Sequence, residues 1–115
     1  KRIRHVAKNV AETFGAEAQV NIHRGYPVTM NHGDQTEFAI EVATTVSGRG
    51  KVNPDVAPVM GGEDFSYMLE ARPGAFIFMG NGDSAFLHHP EYDFNDDAIP
   101  HGVSYWVALA EKALA

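Results

Sequence analysis

The sequence contains no cysteine, so it has no disulfide, no thiolate metal ligand and no thiol nucleophile. This absence fits a reducing compartment, and we expect a cytoplasmic protein. No apolar run approaches the roughly 20 residues of a membrane-spanning helix, and no signal peptide opens the chain. The sequence therefore predicts a soluble protein that does not bind a membrane.

Positive charge is also scarce, since nine lysines and arginines face 15 aspartates and glutamates, for a formal net charge of -6. Binding to nucleic acid or to an anionic lipid surface needs clustered positive charge. The composition therefore argues against nucleic acid as a partner. The 115 residues, 44% of them hydrophobic, have the length and composition of one ordinary domain with a core of its own.

Four segments have the apolar spacing of helices. Ile3, Val6, Val10 and Phe14 recur at three- and four-residue steps, and Gly15 stands where a helix would stop. The predicted helices cover residues 2–14, 34–47, 63–71 and the segment from Pro100 to the end of the chain. In the last of them, one helical face carries Val103, Trp106, Val107, Ala110 and Leu114.

Three other segments have the pattern of strands. Apolar and polar residues alternate over 18–23, and short apolar runs that end in glycine cover 56–62 and 74–82. Alternating helices and strands predict an α/β layer. The one plausible boundary is the loop from Gly25 to Asn31, so the elements before it belong either to the same layer or to a separate small domain.

The motif Gly61-Gly62-Glu63-Asp64-Phe65 follows one predicted strand directly. Two glycines let the backbone approach a ligand closely, and the acids would then lie at the carboxyl end of the strand, where α/β proteins bind their ligands. A plainer interpretation is that the acids only begin a helix, where negative charge contributes roughly 0.3–1 kcal/mol. Spacing alone leaves both interpretations open.

The segment His88-His89-Pro90 is a second candidate site. Proline favours an extended conformation at residue 89, and consecutive side chains of an extended chain point to opposite sides. The two histidines should therefore not bind one metal ion together. One of them could be a ligand that nearby acids orient, or both could be ordinary exposed loop histidines. The acids in question are Asp93, Asp96 and Asp97.

Three stretches carry a resemblance to a known family: RGYPVTMNH, VMGGEDFSYMLEARPGAFIFMGNG and LHHPEYDFNDDAIPHGVSYWVALAEKAL. Together they resemble the C-terminal portion of metal-dependent amidohydrolases and peptidases of the aminoacylase and carboxypeptidase clan, in the hippurate hydrolase branch. The resemblance implies an α/β zinc-peptidase-like catalytic domain with a smaller inserted α+β domain. Residues 1–26 would end the inserted dimerisation or lid domain, and residues 27–115 would be the C-terminal part of the catalytic domain.

The resemblance also implies roles for particular residues. The last metal-binding histidine of the family lies in a Leu-His-x-Pro context, which matches Leu87 to Pro90 and makes His88 the expected metal ligand. Gly61, Gly62 and Glu63 would line the cleft that binds substrate. Glu63 does not match the family's catalytic base, so no catalytic residue is expected within this chain.

The activity that the resemblance implies is hydrolysis of the amide bond of N-acyl amino acids or small peptides by a homodimer. Two divalent ions, zinc or else manganese, cobalt or nickel, would serve as cofactors. The other ligands and the glutamate that activates water belong to an N-terminal half of the family that has no counterpart here, so we expect a fragment that is inactive alone. The alternative is a non-catalytic regulatory or dimerisation module that binds a partner subunit.

Overall fold

The computed structural model describes all 115 residues and consists of four α-helices and one short 3-10 turn. The helices are α1 (Arg2–Thr13), α2 (Gly33–Ser47), α3 (Phe65–Ala71) and α4 (Ala98–Leu114), and the 3-10 turn is Arg49–Lys51. All four predicted helices are present, with boundaries within about two residues of those expected. None of the helices is long and apolar enough to cross a membrane.

The predicted α/β fold is wrong, because the structure contains no β-strand and no sheet. This correction covers the zinc-peptidase-like α/β layer and also the strand expected around residue 20 in the inserted α+β domain. The segments 16–32, 52–63 and 73–82 are not helical, but no backbone ladder joins them. A strand exists only where a second strand accepts and donates its hydrogen bonds, and alternating polarity along one segment cannot provide that partner.

Helix α1 ends in a Schellman motif at Gly15, where the sequence predicts that the helix stops. Gly15 has a φ of 69°, in the left-handed region that glycine tolerates without a Cβ clash. The amide of Ala16 donates to the carbonyl of Ala11 at 2.9 Å, and the amide of Gly15 donates to that of Glu12 at 3.0 Å. These two bonds satisfy carbonyl groups that the helix end would otherwise leave without partners.

Helices α2 and α4 form the one helix pair with substantial packing. Ala39 and Val42 of α2 are buried, with Val42 only 1% exposed, and Ala98 and Tyr105 of α4 are buried as well. Burial raises the pKa of the Tyr105 phenol above its ordinary value of 10.0, because the apolar surroundings disfavour the charged form. This pair is the largest part of the core.

A charged contact supports the same helix pair at its surface. The Lys112 ammonium of α4 forms an ion pair with Glu41 of α2, and its Nζ lies 5.4 Å from the centre of the Phe38 ring. Ion pairs at exposed positions typically contribute 1 kcal/mol or less. Apolar burial at Val42 therefore contributes more to the pairing than this contact does.

The remainder of the chain is open. Only six residues are buried, and the radius of gyration is 20.3 Å, whereas a compact domain of this length has about 13 Å. The apolar face of α4 found in the sequence is largely exposed, with Trp106 at 65% and Val103 at 56%. Helix α1 has no buried residue, so its apolar stripe is also uncovered.

An asparagine side chain partly replaces the absent sheet ladder. The Asn31 amide donates through Nδ2 to the Phe76 carbonyl and accepts through Oδ1 from the Phe76 amide, both at 2.8 Å. Beside it, the backbone amide of His32 donates to the Gly74 carbonyl at 3.0 Å. We call the paired bonds of Asn31 the Asn31 clamp. It holds the segment around residue 76 against the start of α2.

Candidate functional site

The Gly61-Gly62-Glu63 loop leads directly into α3. The Glu63 carboxylate accepts a hydrogen bond through Oε1 from the amide of Phe65 at 3.1 Å, and the Glu63 carbonyl accepts one from the hydroxyl of Ser66 at 2.6 Å. Ser66 is fully buried. One Glu63 oxygen therefore satisfies the backbone at the start of α3, which is the plainer role that the sequence left open, and Gly61 and Gly62 remain exposed.

Tyr26 lies over this loop, a contact that sequence reasoning missed. A Cβ placed on Gly62 would come within 3.2 Å of Cδ2 of Tyr26, so the absence of a side chain at residue 62 makes room for the ring. Tyr26 also packs edge-on against Tyr67 of α3, with ring centres 6.0 Å apart. The only sequence signal at this point was the Gly-Tyr-Pro punctuation, which predicts a break and not a contact.

His88 has a strained backbone. Its φ is 69°, and it is the one residue other than glycine with a positive φ. The amide of His89 donates to the carbonyl of Phe86 at 3.0 Å, so His88 occupies the third position of a four-residue turn, where glycine or asparagine is usual. The His88 side chain is exposed, and strained residues of this kind cluster at functional sites.

His89 has a different environment. Its Nδ1 accepts a hydrogen bond from the amide of Glu91 at 3.1 Å, and its carbonyl accepts one from the amide of Tyr92 at 3.0 Å. The ring of His89 therefore fixes the turn that contains Pro90. These contacts give His89 a structural role that His88 does not have. The sequence distinguished the two histidines on another ground, the opposite directions expected of their side chains.

A second asparagine closes the loop that carries His88. Nδ2 of Asn81 donates to the carbonyl of Asp93 at 2.7 Å, and Oδ1 of Asn81 accepts from the amide of Asn95 at 2.8 Å. We call these two bonds the Asn81 clamp. Sequence reasoning missed it, because Asn81-Gly82 reads only as a turn signal and the partners lie 12 and 14 residues away.

An acidic groove of about 560 Å³ lies beside the Asn81 clamp. Its carboxylates are Asp83, Glu91, Asp93, Asp96 and Asp97. None of them forms a hydrogen bond or an ion pair with His88, so the orienting role expected for three of these acids is not seen. The chain holds no group of three or more histidine, cysteine, aspartate or glutamate side chains that could bind a metal ion.

The candidate site is thus divided into two parts. One is the loop of Gly61, Gly62 and Glu63 under Tyr26, and the other is the exposed imidazole of His88. No hydrogen bond or ion pair joins them. A single imidazole fits the part of one metal ligand, but a catalytic zinc ion normally needs three protein ligands, so these residues do not form a complete metal centre.

Comparison with known proteins shows the family to which the chain belongs. Residues 3–112 match the peptidase family M20/M25/M40, and the chain belongs to that family, whose members are generally metal-dependent. This confirms the resemblance found in the three sequence motifs. No solved structure matched the chain.

Three curated relatives show how far the similarity extends. The chain is 32% identical over 114 residues to a hippurate hydrolase of Campylobacter jejuni, which covers 99% of this chain and 30% of the relative. It is 34% identical over 104 residues to the putative amidohydrolase YhaA of Bacillus subtilis, covering 86% and 26%. It is 35% identical over 107 residues to an N-acetyldiaminopimelate deacetylase of Streptococcus thermophilus, covering 90% and 27%. The chain thus spans less than a third of the length of these relatives.

Proposed function

We propose that this chain forms the part of a metal-dependent amidohydrolase that supplies one metal ligand and one loop of the substrate cleft. The complete hydrolase would cleave the amide bond of N-acyl amino acids or small peptides. Membership of the M20/M25/M40 family supports the hydrolase class, and relatives named hippurate hydrolase and N-acetyldiaminopimelate deacetylase support an N-acyl amino acid as substrate.

The strained turn at His88 is the observation that supports the ligand role best. A positive φ at a residue with a side chain costs roughly 1–3 kcal/mol and persists only where the surroundings enforce it. His88 has this strain and an exposed imidazole, whereas the ring of His89 is bonded to its own loop. We therefore assign the metal to His88 and a structural role to His89.

The other proposed roles follow from the same assignment. When bound, a pair of divalent ions, zinc or else manganese, cobalt or nickel, supplies a Lewis acid for the amide carbonyl and lowers the pKa of a water molecule. This chain contributes the His88 imidazole that holds an ion. Gly61, which is exposed and has open space where a Cβ would stand, lets a ligand approach the backbone. Gly62 makes room for the Tyr26 ring beside it, and Glu63 fixes the start of α3. The remaining ligands would come from polypeptide outside these residues.

The openness of the chain supports a place within a larger hydrolase. The solvent-accessible surface is 10084 Å², about 3,900 Å² more than a compact protein of 12.5 kDa exposes. A standard interface covers only about 800 Å² on each partner. The excess is too large for one ordinary partner, so it favours a surface that the rest of a catalytic domain covers.

The second candidate function is a non-catalytic module that binds a partner subunit. The uncovered apolar stripe of α1 favours it, with Ile3 at 69% and Phe14 at 83% exposed. Exposed apolar patches beyond a few hundred Å² often mark interaction sites. This candidate predicts binding through α1 with no role for His88 in catalysis.

Substitution of the two histidines in the complete hydrolase tests the proposed function. We expect His88→Ala to lower amide hydrolysis by at least about 100-fold, because a metal ligand is lost, while His89→Ala changes it less than about tenfold. The assay measures release of the amino acid from an N-acyl amino acid, with zinc content and helical circular dichroism checked for each variant. Equal losses in both variants at full zinc content would contradict the assignment, and unchanged hydrolysis in His88→Ala would favour the module.

A further inference from the structure

We propose that Asn81 is a positioning residue that holds the His88 turn in the geometry needed to bind a metal ion. This inference rests on the proposed function, since it takes His88 as the ligand. It adds a residue that none of the sequence motifs marked as part of the site. The reasons are the position of the Asn81 clamp, the absence of other bonds across the loop, and the strain at His88.

The Asn81 clamp lies at the base of the loop, and His88 lies at its middle. His88 is seven residues after Asn81 and seven residues before Asn95. The side chain of Asn81 has the donor and acceptor groups of a peptide unit, and it uses both to join the two ends of the loop at Asp93 and Asn95. Both bonds are exposed to solvent, so their effect on the loop comes from joining its two ends.

No other hydrogen bond joins the two limbs of this loop. The remaining bonds are local, such as the amide of His89 to the carbonyl of Phe86, the amide of Tyr92 to the carbonyl of His89, and the amide of Glu91 to the His89 ring. Each of these spans two or three residues and shapes a single turn. Only the Asn81 clamp therefore fixes how the turns are held relative to the rest of the chain.

The strain at His88 requires that the two ends of the loop be held together. A residue relaxes from a φ of 69° when its loop is free to open, because the β and right-handed α regions are lower in energy for any residue with a Cβ. Residues that hydrogen-bond directly to a metal ligand typically affect metal affinity or activity by 10–100-fold. Asn81 does not touch His88 and acts on it through the loop backbone, and we take the same range as the measure of its effect.

The chain offers a matched control. Asn31 forms the same pair of bonds at nearly the same distances, but to Phe76 and not within the His88 loop. Asn31→Ala therefore removes an equivalent pair of bonds outside the His88 loop. It measures how far the loss of any such pair of bonds lowers zinc affinity by general loosening of the chain. Asn81→Asp is a second variant for the case in which Asn81→Ala does not fold, because it keeps the acceptor for the Asn95 amide. It loses the donor to the Asp93 carbonyl and to the Ser84 hydroxyl, and it adds one negative charge.

The experiment measures zinc affinity by competition with a chelator and amide hydrogen exchange over residues 86–92, both in the complete hydrolase. We expect Asn81→Ala and Asn81→Asp to weaken zinc binding by about 10–100-fold and to speed exchange in the metal-free protein, with kcat reduced more than KM is raised. Asn31→Ala should leave zinc affinity within about twofold. His88→Ala is measured in parallel.

The outcomes separate this inference from the proposed function. Unchanged zinc affinity in both Asn81 variants, with a normal loss in His88→Ala, would overturn the positioning role and leave the ligand assignment intact. Equal weakening in Asn31→Ala would also overturn it, because the effect would then come from general loosening. Unchanged zinc affinity in His88→Ala would overturn the proposed function, and the role of Asn81 with it.

Discussion

At the scale of single residues, the proposed metal-binding role of His88 conflicts with the backbone conformation that its position requires. A left-handed turn position favours glycine, yet the chain places an imidazole there, with a φ of 69°. The four-residue turn from Phe86 to His89 would form more easily without that side chain. The proposed binding of an ion by the ring accounts for a histidine in this position.

This conflict can be measured by comparing His88→Gly with His88→Ala, since both remove the imidazole and only glycine relieves the strain. We expect the amide of His89, which bonds to the Phe86 carbonyl, to exchange about fivefold more slowly in the glycine variant, for a difference of roughly 1 kcal/mol. The measurement is hydrogen exchange followed by nuclear magnetic resonance. Equal or faster exchange in the glycine variant would show that the turn is not strained.

Sequence reasoning at this scale found the motifs but missed their supports. His88 and the Gly61-Gly62-Glu63 loop stood out because their residue types are unusual over a few positions. Asn31 and Asn81 did not, because their partners are up to 45 residues away, and the residue type gives no indication of a distant partner. The place of Glu63 at the start of a helix was one of the two alternatives that the sequence offered, since a helix start depends on neighbouring residues; its bond to the Phe65 amide was not predicted.

At the scale of elements, the helices could be predicted and the strands could not. A helix makes its hydrogen bonds within itself, so apolar spacing and a stop at Gly15 or Gly48 were enough to predict α1 and α2. The run of Phe76 and its neighbours was predicted as a strand from polarity alone. In the structure it bonds to one asparagine side chain and not to a second strand.

The helix pair α2 and α4 gives a prediction about stability that applies to the isolated chain. Val42→Ala should lower the free energy of unfolding by about 1–2 kcal/mol, because two methyl groups leave a site that is only 1% exposed. Val103→Ala removes the same groups from a residue that is 56% exposed and should cost less than about 0.5 kcal/mol. Denaturant titration followed by circular dichroism at 222 nm compares them, and equal losses would mean that the two helices do not pack as described.

At the scale of the whole molecule, the chain has most of its apolar surface uncovered. Exposed side chains include Ile3, Phe14, Phe86, Leu87 and Leu114, each at least 69% exposed. The composition predicted a core of normal size, because composition counts the apolar residues and does not show whether they pack against one another. The extents of 64 × 35 × 21 Å show that here they do not.

An incomplete surface and only one proposed metal ligand lead to one prediction for the isolated chain. We expect no measurable hydrolysis of an N-acyl amino acid and zinc binding weaker than about micromolar, or roughly 8 kcal/mol, because no group of three metal-binding side chains is present. Calorimetric titration of the metal-free chain with zinc tests the binding, and the complete hydrolase is the positive control. Stoichiometric binding tighter than micromolar together with turnover would mean that these 115 residues hold a full site.

The Asn81 clamp can also be lost by deamidation of the Asn81 side chain. Asn81 precedes Gly82, and the nitrogen of a following glycine attacks an asparagine side chain more readily than that of any other residue, because no Cβ blocks its approach. The reaction releases ammonia and, after hydrolysis, leaves a carboxylate that cannot donate to the Asp93 carbonyl and that adds negative charge beside the acidic groove. Ageing of the protein at this one peptide bond would therefore open the loop around His88 without any change in the gene.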